Sequence, residues 1–288
     1  MRWLPWLCRT HACFERGSGR FAARISRGIA DTNTEVNPVV ENLMGRVALV
    51  TGGSRGIGRA TCLALAAKDA AVAVCCRSRI DQANEVVKEI QSGGARGLAI
   101  EANSLDLSAI KRSVEEAVSR LGKIDILVNN AGEMTDASVA EMKDEDWEQS
   151  MAVNLTAAFR YARECIPSMQ ERRWGRIINV SSQVAYTGSN NHAHYAAAKS
   201  GLLGFTFSLA KELGAYGITA NVVAPGRITT DLLMERTAGR EEEWIHQTPM
   251  RRFGRPEEVA GPIAFLASEE ASYITGAVLH VNGGLVMG

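Results

Sequence analysis

The chain has 288 residues, 46% hydrophobic and 22% charged, which is enough apolar material for one large core and excludes a disordered or fibrous protein. Its 32 Lys and Arg balance 32 Asp and Glu, so no net positive field draws it to nucleic acid or to an anionic membrane surface. The six cysteines form no Cys-x-x-Cys pair and no Cys/His set with zinc spacing, so no metal site is expected, and no apolar run reaches the ~18 to 20 residues of a membrane helix.

Residues 1–43 differ from the rest. Up to Ala30 they carry Arg2, Arg9, Arg16, Arg20, Arg24 and Arg27 against the single acid Glu15. Such an Arg-rich, acid-poor extension reads as a transit-like segment, a disordered tail, or sequence ahead of a true start at Met44. The expected compartment follows that choice: cytoplasm if Met44 opens the protein, mitochondrial matrix or plastid if the extension is a transit peptide, with cytoplasm preferred.

From residue 44 to 288 one domain is expected. Short β-branched runs at 46–51, 71–76, 96–103, 124–130, 176–182, 218–226 and 277–284 alternate with longer stretches of helical spacing. That alternation predicts βαβ units: a single-domain, Rossmann-type, doubly wound parallel sheet of about seven strands with helices on both faces. Ligands of such a sheet bind beyond the carboxyl ends of the strands. Adjacent Cys75 and Cys76 in the second run read as small buried hydrophobes of a reducing compartment.

The first strand runs into "TGGSRGIG" (51–58) and then a helical stretch. Gly52, Gly56 and Gly58 allow a tight turn and close approach of backbone to a pyrophosphate, which the open helix N-terminus would hold; Ser54, Arg55 and Ile57 belong to the same turn. The second strand ends Cys75-Cys76-Arg77-Ser78, with no acid before Asp81. A carboxylate there would favour NAD; its absence, with Arg77 and Arg55 placed to reach a 2′-phosphate, points to NADP. Further on, "YAAAK" (195–199) puts Tyr195 and Lys199 one helical turn apart on one face.

These motifs, with "NNAG" (129–132), Asn154 in "MAVNL", Ser182 in "NVSS" and "NVVAPG" (221–226), occur in an order that resembles the short-chain dehydrogenase/reductase family over the whole of 45–288. Within it the chain is most similar to the 3-oxoacyl-thioester reductases, on acyl carrier protein or CoA, a similarity the segment 251–284 strengthens. The resemblance implies NADPH-dependent reduction of a keto group. Tyr195 would donate the proton, Lys199 would lower the phenol's pKa and hold the nicotinamide ribose, Ser182 would bond the substrate carbonyl, and Asn154 would support a proton relay. Ser181 is the rival of Ser182. Asn103 would lie near the adenine, Asn130, Ala131 and Gly132 near the inner ribose, and Pro225, Gly226 and Thr230 near the nicotinamide. The segment 229–248 would form a lid, and His192 and His194 would edge the substrate site. The small residues of the 195–204 helix let a cofactor or another helix approach closely, and the resemblance, in which this helix packs between subunits, implies a homotetramer or at least a dimer. Arg172 and Arg173 match a basic patch of carrier-protein reductases, whereas Tyr216 stands where a second basic residue is common. Two other readings stand beside this one: a polyol, sugar or other secondary-alcohol dehydrogenase on the same scaffold, and a catalytically silent NADP-binding assembly subunit.

Overall fold

The computed structural model describes residues 42–237 and 239–287. Residues 1–41, and with them almost all of the expected extension, lie outside the described residues. Leu43 is already part of the core, and its N–H donates to the carbonyl of Lys68.

Seven strands form one parallel sheet: β1 (Val47–Thr51), β2 (Ala71–Cys76), β3 (Gly97–Glu101), β4 (Ile126–Asn129), β5 (Gly175–Val180), β6 (Ile218–Pro225) and β7 (Val278–Val281), in the order β3-β2-β1-β4-β5-β6-β7. The order reverses at β1 and β4, so the crevice of a doubly wound sheet opens beside the end of β1. All seven expected strands are present: β2 keeps its expected bounds, β5 begins one residue earlier, and the others are trimmed by one to three residues at one or both ends.

Both faces of the sheet are covered, and the strand residues divide between them with period two. Ala48 and Val50 join one apolar cluster, Val47 and Leu49 the other; Val72, Val74 and Cys76 separate from Ala73 and Cys75 in the same way. Cys75 and Cys76 therefore pack on opposite faces, and burial pushes both thiols up. Helix α1 (Gly56–Ala66) follows β1 and packs on one face; α2 (Ile80–Ser92) and α3 (Leu107–Leu121) follow β2 and β3. After β4 come α4 (Asp144–Met151), a π-helical stretch at Ala152–Thr156, and α5 (Ala157–Arg172), which together make one long rod. Beyond β5 lie the short α6 (Val184–Thr187) and the 21-residue α7 (Ala193–Leu213). Helices α8 (Asp231–Thr237) and α9 (Glu241–Gln247) fill the expected lid, and α10 (Pro256–Leu266) packs beside α1. Among the described residues no helix is long and apolar enough to cross a membrane.

The two arginines of the expected basic patch also tie strand and helix ends together, Arg172 half-buried and Arg173 exposed. Arg172 grips the buried Asp125 carboxylate and donates to the Ile124 carbonyl (2.7 Å), and Arg173, at a left-handed helix end, donates to the Ala215 carbonyl (2.7 Å).

Candidate active site

A cleft of about 1130 Å³ opens over the carboxyl ends of the strands. Its floor is the glycine turn. Gly52 has φ +66°, and a Cβ there would stand 3.0 Å from the Ala131 Cα; a Cβ on Gly58 would stand 2.1 Å from the Gly52 carbonyl oxygen. Larger residues would break this turn. Arg55, the residue before α1, makes no side-chain cap, so the helix opens into the cleft with its first N–H groups facing an incoming anion. Glycines that a Cβ would overfill, beside an uncapped helix start, suit a dinucleotide pyrophosphate.

The turn is held from β4. The Thr51 hydroxyl accepts from the backbone N–H groups of Asn130 and Ala131 (3.0 Å each), and the Asn130 amide donates back to the carbonyls of Thr51 (3.0 Å) and Gly52 (3.2 Å). Asn130 lines the cleft as expected, but its amide is spent on tying the two loops together. Thr51 was not singled out from the sequence; a hydroxyl closing the first strand is the signal for this tie.

Tyr195 and Lys199 project from α7. The Lys199 ammonium is 5.7 Å from the centroid of the Tyr195 ring and donates to the Val180 carbonyl at the end of β5 (2.9 Å). Lys199 is only 3% exposed, so it is no solvated surface charge leaning on a ring, and burial pushes its pKa down to about 8. Ser181 is buried and donates to the Lys199 carbonyl (2.8 Å), which anchors α7 to β5. Both serines border the cleft, but the Ser181 hydroxyl is spent on that bond, whereas the Ser182 Oγ accepts only from the Val184 N–H (3.2 Å) among the bonds described.

Asn154 sits in the π-helical stretch, a local widening often found at functional sites. Its Nδ2 donates to the carbonyls of Glu133 (2.9 Å) and Ser150 (3.1 Å), and its Oδ1 accepts from the Glu133 N–H (3.2 Å). The amide thus makes a local helix bond and also clamps the loop after β4. Gly132 is wedged between the catalytic candidates: a Cβ there would lie 2.9 Å from Asn154 Oδ1 and 3.3 Å from Lys199 Nζ.

The remaining candidates divide by wall. Ser54, Arg55, Gly56, Ile57, Arg77, Asn103, Ala131, Gly132, Pro225, Gly226 and Thr230 all line the cleft. Arg55 pairs with Asp231 (3.1 Å) and Arg77 with Glu133 (2.9 Å). Asn103 accepts from the Leu105 N–H (3.1 Å) in a turn of its own loop. His192 pairs with Asp136 (2.8 Å) on the rim, whereas His194 is fully buried, bonds Thr135 (2.9 Å) and has its pKa lowered, first by burial and then by His192. The run Glu241–Glu243 is the acidic first turn of α9, whose Trp244 lies under Arg227 (4.7 Å).

Known proteins resemble the chain over most of its length. Residues 52–286 match a family model described as enoyl-(acyl carrier protein) reductase. The chain is 42% identical over 244 residues to the 3-oxoacyl-[acyl-carrier-protein] reductase FabG of Staphylococcus aureus, covering 85% of this chain and 99% of that one. The FabG protein of Escherichia coli strain K12 is 42% identical over 246 residues, with the same coverage. Among solved structures, a blue fluorescent protein from a metagenomic library, crystallised in complex with NADPH, superposes with a TM-score of 0.80 at 40% identity, covering 85% of this chain and 100% of that one.

Proposed function

The chain belongs to the short-chain dehydrogenase/reductase family of oxidoreductases, and from that premise we propose that it is an NADPH-dependent reductase that converts a 3-oxoacyl thioester to the 3-hydroxyacyl thioester. The observation that carries the reading is the buried Lys199 ammonium one turn from Tyr195, beside Ser182 in a cleft built for a dinucleotide. When bound, NADPH supplies the hydride to the keto carbon. The protein's task is then to deliver a proton to the keto oxygen and to hold the substrate for both events.

Ser182 and the Tyr195 phenol bond that oxygen, and the Tyr195 O–H passes its proton to it as negative charge develops. A phenol is a weak acid near neutrality, with a pKa of about 10; the Lys199 charge, kept out of water, stabilises the phenolate and eases the transfer. Lys199 would also hold the nicotinamide ribose, and Asn154, which clamps the Glu133 loop to the helix, would support the relay that reprotonates Tyr195. Gly52, Ser54, Gly56, Ile57 and Gly58 take the pyrophosphate. Asn103 borders the adenine, Asn130, Ala131 and Gly132 the inner ribose, and Pro225, Gly226 and Thr230 the nicotinamide. Arg55 and Arg77 would take the 2′-phosphate, leaving the Asp231 and Glu133 carboxylates they now hold. The relatives at 42% identity are named for acyl carrier protein substrates. Arg172 is engaged with Asp125, and Tyr216 stands where carrier-protein reductases commonly have a second basic residue, so a CoA thioester serves for the first assay.

The same reading includes a homotetramer, supported by half-exposed Trp147, Phe159 and Phe207 on the rod and α7, and testable by sedimentation. It also includes a reducing compartment such as the cytoplasm, supported by the free, buried thiols of Cys62, Cys75, Cys76 and Cys165. Initial rates with the full chain, using NADPH or NADH against acetoacetyl-CoA, crotonyl-CoA, ketoses and simple ketones, test the proposal. NADPH-dependent turnover of acetoacetyl-CoA is expected. Reduction of crotonyl-CoA alone would move the reaction to the carbon–carbon double bond, and reduction of a ketose or ketone alone would move the substrate class.

A further inference from the structure

The arginine placed at the end of β2 for a 2′-phosphate already holds an anion of the protein's own. Arg77 Nη1 donates to Glu133 Oε2 at 2.9 Å, and both residues line the cleft. Strand β1 lies between β2 and β4, so this ion pair runs across the carboxyl end of β1, a span of roughly 10 Å, over the glycine turn. Glu133 is firmly fixed. Its other carboxylate oxygen accepts from Gln149 Nε2 (2.6 Å), its N–H donates to Asn154 Oδ1 (3.2 Å), and its carbonyl accepts from Asn154 Nδ2 (2.9 Å). With 22% of its side chain exposed against 59% for Arg77, the carboxylate is the anchored partner and the guanidinium the mobile one.

We infer that Glu133 is a cofactor-specificity residue: an internal carboxylate that occupies Arg77 and must be displaced from it by the 2′-phosphate, so that it tempers the preference for NADP over NAD. The inference rests on the NADP reading of the cleft. A 2′-phosphate and the Glu133 carboxylate need the same guanidinium, and whichever loses it faces the other as a like charge. An anchored carboxylate cannot withdraw to relieve that repulsion. NAD carries no 2′-phosphate, so its adenosine end leaves the ion pair intact. The carboxylate directly follows "NNAG" in the sequence, at the end of a strand whose loop borders the crevice.

Calorimetric titration of adenosine 2′,5′-bisphosphate and of 5′-AMP into the wild-type full chain, Glu133→Gln, Arg77→Ala and the double variant tests this without turnover. Glu133→Gln should bind the bisphosphate about threefold tighter, the size expected of one exposed ion pair, with 5′-AMP unchanged. In the Arg77→Ala background the same substitution should tighten the bisphosphate by less than threefold, because only the like-charge repulsion of the fixed carboxylate is left to relieve, and should leave 5′-AMP unchanged. If Glu133→Gln leaves the bisphosphate affinity unchanged while the wild type still prefers it to 5′-AMP, the inference fails and the NADP reading stands. Weaker binding in Glu133→Gln would overturn the inference by making Glu133 the residue that orients Arg77. If the wild type shows no preference for the bisphosphate, the NADP reading fails and this inference with it.

Discussion

Lys199 offers a test that needs neither cofactor nor substrate. Burial lowers its pKa from the ordinary 10.5 to about 8, so the folded state binds the proton less tightly than the unfolded chain. At pH 7 both states are protonated, and the gap of about 2.5 units makes the buried charge cost about 3 kcal/mol. Between pH 8 and 10.5 the folded state has released the proton while the unfolded chain keeps it, so this contribution to stability rises with pH. At pH 10 less than about 1 kcal/mol of the cost remains. Lys199→Met removes the whole effect. It also leaves the Val180 carbonyl without its bond, worth about 1–3 kcal/mol, but that loss does not vary with pH. The assay is urea unfolding at pH 7 and pH 10 of Tyr195→Phe and of the double variant Tyr195→Phe/Lys199→Met, so that the phenol does not titrate in either. The stability of the double variant relative to its parent should fall by about 2 to 3 kcal/mol between the two pH values. A difference that stays flat within about 0.5 kcal/mol would refute the claim that Lys199 is buried as a strained cation.

Other expectations follow from the same geometry. The kcat/KM for reduction should decline as pH rises through about 8, because the free enzyme loses the charge that stabilises the Tyr195 phenolate; a flat profile to pH 9.5 would contradict that role. Gly132→Ala puts a Cβ 2.9 Å from Asn154 Oδ1, and the displaced Asn154 and Lys199 should cost about tenfold to a hundredfold in kcat while NADPH dissociation changes far less. Gly58→Ala meets the Gly52 carbonyl at 2.1 Å, a backbone clash, and should abolish NADPH binding as read by protein fluorescence. Gly204→Ala meets nothing within 4 Å on α7 and should stabilise the isolated subunit by about 0.5 to 1 kcal/mol, unless that face is covered in an oligomer, in which case sedimentation would report dissociation.

The sheet was legible because its signal is local. Each strand is a short β-branched run whose alternate residues enter opposite cores, and periodicity records that directly, as in Val47, Ala48, Leu49 and Val50. The Tyr195–Lys199 pair was legible for the same reason, since four residues on a helix make one face. Contacts between distant segments were not. The Asn130 tie to Gly52 and the grip of Arg172 on Asp125 join residues 78 and 47 positions apart. Nothing in the sequence separates an arginine that docks a partner from one that holds its own strand ends. The π-helical stretch around Asn154 escaped notice because one extra residue in a turn scarcely alters the apolar spacing. Family spacing alone pointed to Ser182 over Ser181; both border the cleft, and the bond from the Ser181 hydroxyl to the Lys199 carbonyl is a contact between segments 18 residues apart that the sequence does not show.

The most direct measurement follows the hydrogen itself. Acetoacetyl-CoA is incubated with the full chain and with NADPH carrying deuterium at both C4 positions of the nicotinamide, and the product is analysed by mass spectrometry and NMR, in the wild type and in Tyr195→Phe. Deuterium at C3 of 3-hydroxybutyryl-CoA in the wild type is expected, with the rate in Tyr195→Phe reduced about 10²- to 10⁴-fold and NADPH affinity nearly unchanged. Undiminished transfer in Tyr195→Phe would contradict the assignment of the proton donor, and no transfer in the wild type would contradict the reaction.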